Sequence, residues 1–131
     1  MKIIADTNLL LRFFVDDDPA QHRLAVEIMA QATGVVVPNV ALCEFVWVLQ
    51  STYDTSREDV SAAIVRLRHV GNTVMDNAAI DAGLSVLAAG GDFADGVIAY
   101  EGRWLGGEMF VSFDKKAVAI LAAQGQNARL L

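Results

Sequence analysis

"IIADTNLLLRFF", residues 3–14, begins on a β-branched apolar pair and ends on an apolar run of helical spacing, with an acid, a hydroxyl and an amide between the two. The change of apolar period at Asp6 reads as a strand handing over to a helix. "KIIA" (2–5) is the strand, and the helix runs from about Thr7 to Val15. The same handover recurs downstream. "DPAQ" (18–21) supplies an N-cap acid, a proline at the first helical position and a glutamine two residues on, opening a helix toward Thr33. "GVVVP" (34–38) is a buried strand stopped by proline, and Asn39 caps a helix through about Tyr53. "SRED" (56–59) opens another helix as a capping box, ending near Gly71, and "NTVM" (72–75) is a third strand. A small-residue helix over about 78–89 ends at Gly90-Gly91; "DFADGVIAYEGRWLG" (92–106) is the next helix and "MFVS" (109–112) the next strand. "KKAVAILAAQG" (115–125) and "ARLL" (128–131) close the chain as helix and edge strand. Strands alternating with helices predict an α/β fold, a parallel central sheet of four to five strands flanked by helices.

Composition narrows the chemistry. A chain of 131 residues, 54% hydrophobic and without a Pro/Gly/Ser-rich linker, reads as a single domain over 1–131. No apolar run is long enough to cross a bilayer, and "MKIIADTN" lacks the cleavage pattern of a signal peptide, so a soluble cytoplasmic protein without a membrane partner is the expectation. Cys43 is alone and the only histidines are His22 and His69, which excludes an intrachain disulfide and a Cys/His zinc set. Any metal must be held by oxygen. The net charge of −6 argues against strong binding to nucleic acid by counterion release, although an acid cluster holding a divalent cation reverses the local field.

The acids therefore carry the functional question. Asp6 falls just past the first strand and Asp114 just past "MFVS", at the strand ends that border the ligand crevice of open α/β sheets. Asp92 and Asp95 open one helix. Each is also a reasonable helix cap, worth roughly 0.5 to 2 kcal/mol. Glu44 is different: it sits mid-helix in "VALCEFVWVL", with Val40, Ala41, Trp47 and Val48 one turn away. On an apolar stripe the carboxylate is expected to be buried, and a buried charge needs a partner or a raised pKa. A salt bridge to Arg12 or Arg103 is one solution. A shared cation is the better one, because Mg²⁺ takes one or two carboxylates and leaves coordination sites for phosphate oxygens.

With those residues in place, the chain resembles the PIN-domain family, and within it the VapC-type ribonuclease toxins of bacterial type II toxin-antitoxin modules. The resemblance rests on "ADTNLLLRFF", "VALCEFVWVL", "DFADGVIA" and "VSFDKKA", four stretches in order over residues 2 to about 117. It implies a PIN-like three-layer fold and an acidic quartet of Asp6, Glu44, Asp95 and Asp114, catalytic and metal-binding, with Asp6 and Asp95 foremost as direct ligands. Asn8 and Ser112 match polar positions that orient the acids, and Asp92 resembles a frequent extra acid, ranked lower because an N-cap role suffices for it. The same resemblance implies Mg²⁺ or Mn²⁺ as cofactor, RNA as substrate and a cognate antitoxin protein as partner. Gly96 departs from the alanine more common at that position and is expected to loosen its helix by up to about 1 kcal/mol.

The remaining residues have plainer readings. Cys43 is expected to be a small buried hydrophobe, and Trp47, Phe13, Phe14 and Phe45 core or dimer interface. Arg12, Arg103 and Lys115 are the candidates for RNA phosphate contact, with Trp104 a candidate for base stacking and Lys116 either a phosphate contact or a solvated cation. The mean hydropathy of +0.39 is high for a domain of this size and points to a homodimer. Two other functions share these features. A non-catalytic PIN-fold scaffold has no use for the acids, and a phosphoacceptor receiver domain wants paired acids after its first strand, where this chain has Asp6 alone.

Overall fold

The structure, a computed structural model, describes residues 1–131, which divide into two compact units, Met1–Asp76 and Asn77–Leu131. The N-terminal unit runs β1 (Lys2–Ile4), α1 (Thr7–Phe14), α2 (Pro19–Gln31), β2 (Gly34–Val36), α3 (Asn39–Ser51), α4 (Arg57–Arg68) and β3 (Thr73–Val74). The C-terminal unit runs α5 (Asn77–Ala88), α6 (Phe93–Trp104), β4 (Phe110–Ser112), α7 (Lys115–Ala123) and β5 (Ala128–Leu130). No helix is long and apolar enough to cross a membrane.

All strand pairings are parallel, as expected where helices connect successive strands. In the first unit the order is β1-β2-β3, with Ile3 opposite Val35 and Val35 opposite Thr73. In the second, β4 pairs β5 with Val111 opposite Arg129. The α/β class and parallel pairing are as expected, but the five strands fall into a three-stranded and a two-stranded sheet rather than one central sheet of four to five.

The helix starts follow their capping chemistry. The Asp18 carboxylate accepts from the Gln21 N–H at 3.2 Å with Pro19 at the first helical position, and Ser56 Oγ accepts from the Asp59 N–H at 3.1 Å. Asn39 differs from expectation: Pro38 takes the N-cap position, no side chain caps α3, and Asn39 is the first helical residue. Its amide instead donates to Asp76 at 3.4 Å.

The core of the first unit gathers Leu10, Met29, Val35, Leu42, Phe45, Ile64 and Leu67, all essentially without solvent contact. Phe14 packs its ring 5.3 Å from that of Phe45 and 5.0 Å from Phe13, and the Arg66 guanidinium lies over its face at 5.6 Å. Trp47 is 69% exposed and takes no part in this core, which leaves the interface half of its reading. The loop after α1 is tied down by one acid. Asp17 pairs with Arg12 at 2.6 Å and accepts from the Tyr53 hydroxyl at 2.8 Å. The Tyr53 hydrogen bond, and after it the Arg12 guanidinium, hold the Asp17 carboxyl below its ordinary value. Arg12, a candidate for RNA contact, is thereby engaged within its own unit.

The second unit is organised by the approach of α5 to α6. A Cβ on Gly96 would lie 2.3 Å from the Ala82 carbonyl oxygen, and one on Gly83 2.5 Å from the buried Phe93 ring. Both glycines are what the two backbones need to pack this closely. Gly96 is therefore a packing requirement, not the loosened point of a helix. Val86, Ala99 and Leu121 complete the core beneath β4 and β5, with Phe110, Ile120 and Ala128 packed against them.

Candidate active site

β4 ends at Ser112 and α7 starts at Lys115, so Asp114 occupies the turn between a strand end and a helix N-terminus. Its Oδ1 accepts from the N–H groups of Lys116 and Ala117 at 3.0 and 3.1 Å, while its own N–H donates to Ser112 Oγ at 2.9 Å. Asp114 is thus a helix cap, as the bland reading expects, and its Oδ2 stands outside the cap. Ser112 Oγ thereby holds the Asp114 backbone.

Asp92 is the residue before α6 and Asp95 is the third residue of that helix, so the two share one face of the first turn. Asp92 was expected to be accounted for by capping, yet its carboxylate makes no capping hydrogen bond. Asp92, Asp95 and Asp114 instead come together, each offering an oxygen within 4.8 Å of the others. Asp92 and Asp114 are exposed and Asp95 is half-buried. The Asp–x–x–Asp spacing was the signal in the sequence; the assumption that a cap exhausts an acid concealed it.

Burial first, and then the neighbouring Asp92 and Asp114 carboxylates, push the Asp95 carboxyl above its ordinary value of 3.8. A raised carboxylate pKa means that the folded protein holds the proton more tightly than the unfolded chain. Stability from this residue is therefore greatest below pH 3.8 and is lost as the pH rises through the raised folded value. Asp95→Asn in EDTA is expected to melt above wild type at neutral pH, with the gain vanishing in acid below 3.8. Melting curves across that range check it; a gain independent of pH would assign the strain to something other than the Asp95 charge.

The other two acids lie in the first unit. Asp6 Oδ1 accepts from the Leu9 N–H at 2.8 Å and so caps α1. Glu44 Oε2 accepts from Thr7 Oγ1 at 2.9 Å, which links the residue after Asp6 to α3. Glu44 is exposed, and this corrects the expectation of burial: its neighbours Val40 and Trp47 are apolar but themselves lie open to solvent. No charged or polar residue of the chain is buried. Neither proposed salt bridge forms, since Arg12 pairs with Asp17 and the Arg103 guanidinium donates to the Gln126 amide oxygen. Asn8, exposed on α1, lines an apolar cavity of about 450 Å³ with Leu9, Leu24 and Ile28. Lys115 is exposed at the start of α7.

Parallel strands and interleaved helices define an α/β protein, and its three carboxylates at a strand end and two helix N-termini form a cluster that could hold a cation through oxygen alone. The chain belongs to the PIN domain family, whose model matches residues 3–121. A search of curated proteins finds no match. PIN domains are in general nucleases and usually bind divalent metal ions, and the donor set here fits such an ion: three hard carboxylates, one of them held above its ordinary pKa first by burial and then by the charges of the other two.

Proposed function

We propose that this protein is a metal-dependent endoribonuclease that hydrolyses RNA phosphodiester bonds, acting as the toxin of a toxin-antitoxin module. The gathering of Asp92, Asp95 and Asp114 in a PIN-family chain carries the reading. Asp95 is held by the first turn of α6, and Asp114 is fixed by its own capping bonds, so both ligands are preorganised. A bound Mg²⁺ or Mn²⁺ would neutralise the charge that builds on the phosphate and lower the pKa of water so that hydroxide is available as the nucleophile. The protein then needs no nucleophile of its own. Asp6 and Glu44 are assigned to the same reaction on the family resemblance, with Thr7 orienting Glu44.

The partners follow from the same reading. The cavity between α1 and α2, bordered by Leu24 and Ile28 with Arg12 at its rim, is the seat proposed for an apolar segment of the antitoxin. Exposed Val40, Trp47, Trp104 and Leu105 support a homodimer, readable by light scattering. Labelled RNA incubated with Mg²⁺ or Mn²⁺ is expected to be cut internally, and EDTA to stop the reaction. Cleavage that survives EDTA undiminished would exclude the metal mechanism, and no cleavage with either ion would favour a binding scaffold on the same fold.

A further inference from the structure

Gly102 lies one turn beyond Ile98 and Ala99 on the same face of α6, and a Cβ added to it would meet nothing within 4 Å. All three residues line a cavity of about 360 Å³ between the C-terminal half of α6 and β4. Ile98 from the helix, with Met109 and Val111 from the strand side, gives it an apolar wall, and each of these side chains is about half exposed. Where the chain turns back from α6 toward β4, the Gly107 N–H donates to the Gly102 carbonyl at 2.8 Å, and a Cβ on Gly107 would lie 2.9 Å from that oxygen. Glycine at 107 lets the turn close on the helix, and glycine at 102 leaves the space beside it open.

The same cavity carries both signs of charge. Arg103 and Glu108 line it, both exposed, and neither forms an ion pair with the other or with any other residue. The Arg103 guanidinium donates to the neutral amide oxygen of Gln126. Asn127 donates to the main-chain carbonyl of Glu108 at 3.1 Å, which holds the backbone there and leaves the carboxylate without a hydrogen bond. Apolar walls with a few polar groups that fix orientation are the make-up of a small-molecule site, and the volume falls at the small end of that range. The interior of a peptide segment has no main-chain charge and would leave Arg103 and Glu108 both unpaired. A free zwitterion satisfies both. The place is separate from the carboxylate cluster: Gly102 is seven residues past Asp95, about 10 Å further along α6, and Met109 and Asp114 flank opposite ends of β4.

We propose that this cavity binds a free α-amino acid with an apolar side chain, of the leucine or methionine class. Its carboxylate takes charge-assisted hydrogen bonds from Arg103, its ammonium donates to Glu108, and its side chain lies against Ile98, Met109 and Val111. The site stands independently of the nuclease reading, and no bond is made or broken in it.

The test titrates leucine into the full-length chain in EDTA by calorimetry, beside N-acetyl-leucine, which lacks the ammonium, leucinamide, which lacks the carboxylate, and glycine, which lacks the side chain. Leucine is expected to bind one per chain, and each of the other three at least about tenfold more weakly. Arg103→Gln should bind leucine as weakly as the wild type binds leucinamide, and Glu108→Gln as weakly as the wild type binds N-acetyl-leucine. Gly102→Leu puts a side chain into the cavity and should abolish binding; leucine should raise the melting temperature of the wild type in proportion to its occupancy and leave that of Gly102→Leu unmoved. Arg103→Gln and Glu108→Gln change exposed side chains, so they read the site even if Gly102→Leu fails to fold. Absence of saturable leucine binding, or equal affinity for leucine and its two blocked analogues, would overturn the proposal. Binding undiminished in folded Gly102→Leu would place the ligand elsewhere and overturn it as well. RNA cleavage by the wild type is unaffected by any of these results, so the two readings fail separately.

Discussion

Asp95→Asn is expected to lower RNA cleavage by at least about a hundredfold at saturating Mg²⁺, the scale on which removing one preorganised electrostatic group from a reaction centre acts. Asparagine keeps the shape and the helix position and removes only the charge. The variant is also expected to be the more stable protein at neutral pH, so lost activity cannot be ascribed to lost folding. Asp92→Asn should behave similarly, because the Asp92 carboxylate makes no capping bond whose loss would weaken α6. A capping role alone predicts the reverse, a stability loss of about 1 kcal/mol with activity retained. Asp114→Asn should be milder, since one oxygen of this carboxylate is already engaged in capping α7 and only the other is open to an ion, and the amide oxygen can keep the capping bonds to Lys116 and Ala117. Asp6→Asn and Glu44→Gln are each expected to cost about as much as Asp95→Asn, and pairs of these changes should fall far short of the product of their single effects. Full activity in Asp95→Asn, measured by initial rates on labelled RNA, would sink the metal-nuclease reading.

Gly96→Ala is expected to destabilise the protein by about 2 kcal/mol, although helix propensity alone favours alanine by about 1 kcal/mol. The sign is set by geometry. The new Cβ would meet the Ala82 carbonyl oxygen at 2.3 Å and the Gly83 Cα at 2.7 Å, and these are backbone atoms of a packed helix that cannot swing aside as a side chain does. Relief requires α6 to move off α5, which carries Asp92 and Asp95 with it. Activity should therefore fall together with the melting temperature. Gly102→Ala is the control: it lies in the same helix with nothing within 4 Å of the added methyl, and is expected to be neutral or stabilising by up to about 1 kcal/mol. Thermal unfolding of the two variants beside wild type decides the matter; equal midpoints for Gly96→Ala and wild type would mean that α5 and α6 separate at no cost.

The sequence by itself determined the order of strands and helices and the positions of four acids at element ends. Those features are local: a capping residue such as Asp18 or Ser56 satisfies N–H groups two or three residues away, and apolar periodicity needs no partner to be read. Fold class followed, because parallel strands need crossover connections and helices between successive strands supply them. Burial was decided by tertiary structure alone. Glu44 and Trp47 sit on what reads as an apolar stripe, but a stripe is buried only if another element covers it, and here that surface of α3 stays open. The roles of Asp92 and Gly96 were likewise settled in three dimensions. Capping chemistry accounted for Asp92 until its carboxylate was found beside Asp95 and Asp114, brought there by a strand end some twenty residues away in the chain. Propensity counted Gly96 as a weakness, because propensity describes an isolated helix, and only the distance to a second backbone turns a missing side chain into a requirement.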